Sequence, residues 1–124
     1  MKLQDCTRAY GALLELMDQP ADYRTAYALV CLKEKLQLQA AFYAREEMKL
    51  VEACAAKDEA GQVAWTGPGK FRFASGEAAR DYARRLEELG EIQVEPIGPY
   101  KIPKPEKISP GQLEALLPFL EVEA

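Results

Sequence analysis

Apolar residues along this chain recur in two rhythms, steps of three and four over long stretches and strict alternation over a short one. Tyr10, Leu13, Leu14 and Met17 form a narrow stripe that predicts a first helix over about 4–17, ended by Asp18, Gln19 and Pro20. From Asp22 to Lys57 there is neither Pro nor Gly, and good helix formers predominate. Within that run Leu29, Leu32, Leu36, Ala40, Tyr43, Leu50 and Cys54 keep the helical step, with Glu47 as the one polar intruder. Tyr23, Tyr27, Val30, Leu38 and Phe42 widen the apolar face of the first half. That half is therefore expected to pack on two sides, and the charged half beyond Arg45 on one. Asp22 is placed to cap the helix. A helix over 22–57 would be on the order of 54 Å long at ~1.5 Å per residue. A domain of this size has a radius of gyration of only roughly 14 Å. The helix must bend, protrude or pack against something else, and the pattern leaves straight and kinked forms open.

The remaining elements are shorter. Val63 and Trp65, then Phe71 and Phe73, alternate with other residues on either side of Thr66-Gly67-Pro68-Gly69, which predicts a β-hairpin over about 62–73 with its large apolar residues on one face. Ser75 opens a third helix over about 76–89, and Gly90 follows it as a stop. Pro96, Pro99, Pro103 and Pro105 forbid a helix and predict an extended strap over about 91–107. Whether its 92–102 portion joins the hairpin is left open by the pattern. Ser109-Pro110-Gly111-Gln112 is a capping box with Pro at the first helical position, with Ile108 able to staple against Leu113. It predicts a short helix over about 110–117, ended or bent by Pro118. The fold class expected is α+β, predominantly α: one domain, a long central helix, short flanking helices and a small antiparallel hairpin or sheet.

Composition narrows the function. Apolar residues make up 48% of the 124, enough for a core, and the net charge is −4 with a pI near 5.0. That balance disfavours strong nonspecific binding to nucleic acid or anionic lipid. No apolar run approaches a membrane span, and Asp5, Arg8 and Glu15 interrupt any signal-peptide pattern, so a cytoplasmic location is expected. There is no histidine. Ser-His-Asp and Cys-His nucleophiles and histidine metal sites are thereby removed. Cys6, Cys31 and Cys54 are odd in number, form no CxxC and sit in apolar helical patterns, which suits buried free thiols. No catalytic, metal or cofactor residues are assigned, and no small-molecule ligand is evident.

Four residues are candidates for a protein interface. Glu47, Leu50 and Cys54 lie on the narrow second half of the long helix, and Trp65 lies on the hairpin. Glu47 could set the register of a helix–helix contact or face solvent where the stripe drifts, and solvent is favoured. Trp65 could anchor a partner, although packing on the long helix is favoured by its apolar neighbours. Arg80, Arg84 and Arg85 form the alternative, a nucleic-acid face; Glu77, Asp81, Glu87 and Glu88 lie at spacings that neutralise them. Gly67-Pro68-Gly69-Lys70 lacks phosphate-loop spacing and reads as the hairpin turn.

Several segments taken together resemble a family of small uncharacterised proteins encoded in tailed-phage and prophage genomes of Gram-positive bacteria. They are LLELMDQP, then RTAYALVCLKEKLQLQAAFYAREEMKLVEACAAKDEAGQ, then IQVEPI and the closing KISPGQLEALLPFLE, in that order. The chain departs from the family's pattern in its IGPYKIPKP strap and its GPGKF turn. The resemblance implies a phage-derived protein that is not an enzyme, with a structural or assembly role, partnered by itself or another protein, in the host cytoplasm or in the virion.

Overall fold

The computed structural model describes residues 1–123. Four helices and four short strands follow one another: α1 (Leu3–Leu16), α2 (Tyr23–Cys54), β1 (Trp65–Gly67), β2 (Lys70–Phe71), α3 (Gly76–Gly90), β3 (Tyr100–Pro103), α4 (Pro110–Leu116) and β4 (Leu120–Glu123). This is the predominantly α version of α+β.

The length of α2 is explained by what lies beside it. Its 32 residues span about 48 Å. Two helices of about half that length lie along it in file. α1, with 14 residues, runs antiparallel to the N-terminal half, with Leu16 near Leu29 and Leu3 near Leu38 and Phe42. α3, with 15 residues, starts beside the other end, where Ala78 faces Cys54, and returns towards the middle. The two short helices meet end to end. The N–H of Leu3 donates to the C=O of Ile92, and that of Val94 to the C=O of Met1, each at 2.8 Å. Lys2 and Glu91 add an exposed ion pair at 2.9 Å.

Gly90 sits at this junction with no room to grow. A Cβ there would approach Gln4 Oε1 to 2.9 Å and Gln4 Cβ to 3.2 Å. Gly90→Val is therefore expected to push α3 off α1 and to cost about 1–3 kcal/mol, read by urea denaturation.

The main core lies around the N-terminal half of α2. Leu29, Leu32 and Leu36 meet Cys6, Ala9, Leu13 and Leu16 of α1, and Ile97, Ile102, Leu116, Phe119 and Leu120 close the cluster. Among the described residues there is no disulfide; Cys6 and Cys54 are buried free thiols and Cys31 is partly exposed. Burial, with Asp5 nearby, pushes the Cys6 thiol up, so it stays protonated and inert.

Caps fall where the sequence places them. The Asp22 carboxylate accepts from the N–H of Thr25 at 2.8 Å, Ser75 Oγ from that of Ala78 at 3.0 Å, and Ser109 Oγ from that of Gln112 at 3.1 Å. The Gln112 side chain reciprocates to the Ser109 N–H, completing the box. The Thr25 hydroxyl and N–H beside it hold Asp22 below the usual carboxylate range. A carboxyl lowered in the folded state stabilises above its unfolded pKa, and that contribution disappears as the pH falls through its folded pKa. Asp22→Ala should therefore lower Tm at neutral pH, and the difference from wild type should shrink as the pH drops below the carboxylate range.

Two expectations need correction, and the open question of the strap is answered. The long helix ends at Cys54, three residues before Lys57. Asp58 is the cause: its carboxylate accepts from the N–H groups of Ala60 and Gln62, and Gly61 at φ 78 completes a turn. Residues 55–57 are thereby drawn out as an extended segment, pairing Ala55 with Phe73 and Lys57 with Val63. The strap does not join the hairpin. Instead β3 pairs in parallel with β4, Tyr100 opposite Leu120 and Ile102 opposite Val122, with α4 as the crossover. Finally, the first half of α2 is packed on one side only. Tyr23, Tyr27, Val30, Leu38 and Phe42 are exposed.

A candidate protein-interaction face

At ~100° per residue, the buried positions Leu29, Leu32, Leu36, Ala40, Leu50 and Cys54 cluster on one side of α2. Tyr27, Cys31, Leu38 and Met48 fall on the opposite side. Tyr27 and Leu38 keep 74% and 72% of their surface and Met48 46%, far more than isolated surface apolar residues need explaining. The Cys31 thiol lies one turn from Tyr27 and pushes that phenol up, which places the two side by side. Beside Leu38 and Phe42 the face continues into an open groove of about 600 Å³, floored by Ile92, Val94 and Pro96. At the other end it reaches Met48 and Trp65, which line a smaller groove of about 400 Å³ near the hairpin.

The interface candidates read from the sequence are split by this geometry. Leu50 and Cys54 are buried within the chain, where α3 and the hairpin attach, so they stabilise this molecule and are closed to a partner. Glu47 is half-buried and lies towards α3, not in open solvent. Burial first, then the Glu47 charge, raises the phenols of Tyr43 and Tyr82. Its place is thus a helix–helix contact inside the chain, with tyrosines as neighbours and no basic partner. Trp65 is half-exposed at 48%. It stands edge-on to Phe71 at 6.0 Å, and Phe71 in turn meets Phe73 at 5.2 Å and Tyr82 at 5.9 Å. The hairpin is therefore anchored on α3 through Phe71, and Trp65 caps that cluster with one face open.

The arginines of α3 are engaged along their own helix. Arg84 pairs with Asp81 at 2.6 Å and with Glu88 at 3.2 Å, and Arg85 reaches Asp81 at 3.6 Å. The bond to Arg84 holds the Asp81 carboxyl below its ordinary range, and the same bond raises Arg84 further. Arg80 is exposed. These pairs leave the face locally balanced, not a field for phosphates.

Among the described residues no polar or charged residue is buried as a whole, the Thr25 hydroxyl oxygen alone being shielded without a hydrogen-bond partner, and no cluster of three metal-ligating groups occurs. A smaller pocket of about 220 Å³ lies between the start of α2 and residues 102–106, lined largely by apolar and proline side chains. Gln19 closes its rim by donating to the Lys107 C=O and accepting from the Lys107 N–H. No helix among the described residues is long and apolar enough to cross a membrane. Comparison with known proteins finds no matching family model, no similar curated protein and no similar solved structure.

The outer face was within reach of sequence reasoning. Tyr27, Cys31, Leu38 and Phe42 are an apolar set offset by half a turn from the leucine stripe. Periodicity detects a second face but not what covers it, so a second apolar face reads equally as core.

Proposed function

We propose that this is a non-enzymatic, phage- or prophage-derived protein with a structural or assembly role, acting in the host cytoplasm or in the virion by self-association. The observation that carries the interaction reading is the outer face of α2, with Tyr27, Leu38 and Met48 exposed on the side away from the core. Exposing such a stripe to water is unfavourable, and covering it recovers roughly 25 cal/mol per Å² of apolar surface. The phage origin rests on the order of the TAYALVCLKEKLQLQ, IQVEPI and KISPGQLEALLPFLE segments. The non-enzymatic reading rests on the missing histidine, which removes the commonest nucleophile and general-base arrangements. The arginine face of α3 gains no support as a phosphate reader, because Arg84 and Arg85 are already partnered.

Light scattering on chromatographed protein tests this across micromolar to sub-millimolar concentrations. A mass rising above the 13.8 kDa of one chain is expected. A mass that stays at one chain throughout contradicts self-association.

A further inference from the structure

We infer that the outer face of α2 pairs with the same face of a second copy of this chain, antiparallel about a two-fold axis near residues 39–40; this rests on the self-association reading above. The face has a seam of alternating four- and three-residue steps, the spacing of packed helices. It begins at Tyr27 and Cys31, passes Glu34, Leu38, Ala41 and Arg45, and reaches Met48 and Glu52. All of these are exposed except Cys31, which is partly so.

The charges on the seam choose the direction. In a parallel, in-register pair each residue faces its own copy, so Glu34, Arg45 and Glu52 would each meet a like charge. In the antiparallel pair Glu34 of each copy faces Arg45 of the other, twice over by symmetry. Size agrees with charge: Leu38 lies opposite Ala41, a large side chain over a small one, and Cys31 lies opposite Met48. At the ends Tyr27 faces Glu52, a phenol that can donate to a carboxylate.

The contact is modest. The seam is on the order of 38 Å long and one helix, ~10 Å, wide. Its plan area of roughly 400 Å² per copy is below the ~800 Å² per partner of a standard stable interface. The dimer is accordingly weak and reversible.

Charge reversal and thiol cross-linking test the arrangement on the full-length protein. Glu34→Arg should weaken the dimer at least about tenfold, and adding Arg45→Glu in the same chain should restore it. Met48→Cys places a second thiol opposite Cys31 of the other copy. Diamide should then oxidise the two thiols to an intermolecular disulfide, being itself reduced, and Cys31→Ser in that background should abolish the product. Wild-type protein should give no cross-link, since Cys6 and Cys54 are buried and Cys31 does not face itself. A Cys31-dependent cross-link in the wild-type protein indicates parallel packing and overturns the inference. Dimers by light scattering with neither the cross-link nor the rescue place the contact on another face; they overturn the inference and leave self-association standing. A monomer throughout overturns both.

Discussion

Leu36→Glu is expected to leave the protein largely unfolded at neutral pH. Leu36 has no exposed surface and sits in the middle of the buried side of α2, packed into the cluster formed with α1. The change loses about 2–5 kcal/mol of packing, as for any large buried aliphatic truncation. It also buries a carboxyl without a partner, at a further cost of roughly 2–7 kcal/mol. The sum is comparable with the whole stability of a domain, about 5–15 kcal/mol. Far-UV circular dichroism with thermal melting reads the result. Acid should partly restore the folded state, because a core tolerates the protonated carboxyl better than the charged one.

Phe119→Ala is the second large effect, with an expected loss of about 3–5 kcal/mol and a fall in Tm of more than about 10 °C. Phe119 heads the fully buried side chains and has no exposed surface. It lies between α4 and β4, and its backbone ties α4 to β3: its N–H donates to the Leu116 C=O and its C=O accepts from the Tyr100 N–H, each at 2.9 Å. Emptying its place opens a cavity where the β3–α4–β4 unit docks on α1 and α2. Leu117→Ala, two positions away and 59% exposed, should stay within about 0.5 kcal/mol of wild type. A comparable loss in both variants would place the closing cluster elsewhere.

Local chemistry in this sequence was legible and long-range pairing was not. The caps at Asp22, Ser75 and Ser109 depend on a few adjacent residues and form as expected, and the hairpin forms too, although its four-residue loop 66–69 tightens to Pro68-Gly69 because Thr66 and Gly67 join β1. The end of α2 was missed because Ala55, Ala56 and Lys57 are good helix formers. The Asp58 turn and the pairing of 55–57 with the hairpin outweigh that preference. β4 was missed because Leu120–Glu123 is short and half charged, and it becomes a strand only through parallel pairing with β3.

The same division applies to the candidate face. Leu50 and Cys54 read as partner surface because the second half of α2 carries only a narrow stripe, yet α3 folds back to cover that stripe. Tyr27, Leu38 and Phe42 read as core because they are apolar and periodic, yet the chain only borders them, at the groove of Ile92, Val94 and Pro96, and leaves them exposed. The tandem of α1 and α3 settles both outcomes at once. It accounts for the length of α2, closes one side of it from end to end, and leaves Tyr27, Leu38 and Met48 exposed on the other.

That two-sided helix is most directly tested by weighing Leu38→Glu in solution, by sedimentation at a concentration where the wild-type protein is dimeric, with its melting monitored in the dilute monomer. Leu38 is only two residues from Leu36 but points to the other side. The account predicts a mass of one chain, 13.8 kDa, with a monomer melting temperature equal to that of wild type. A variant that still sediments as a dimer, or one that unfolds as Leu36→Glu does, would contradict it.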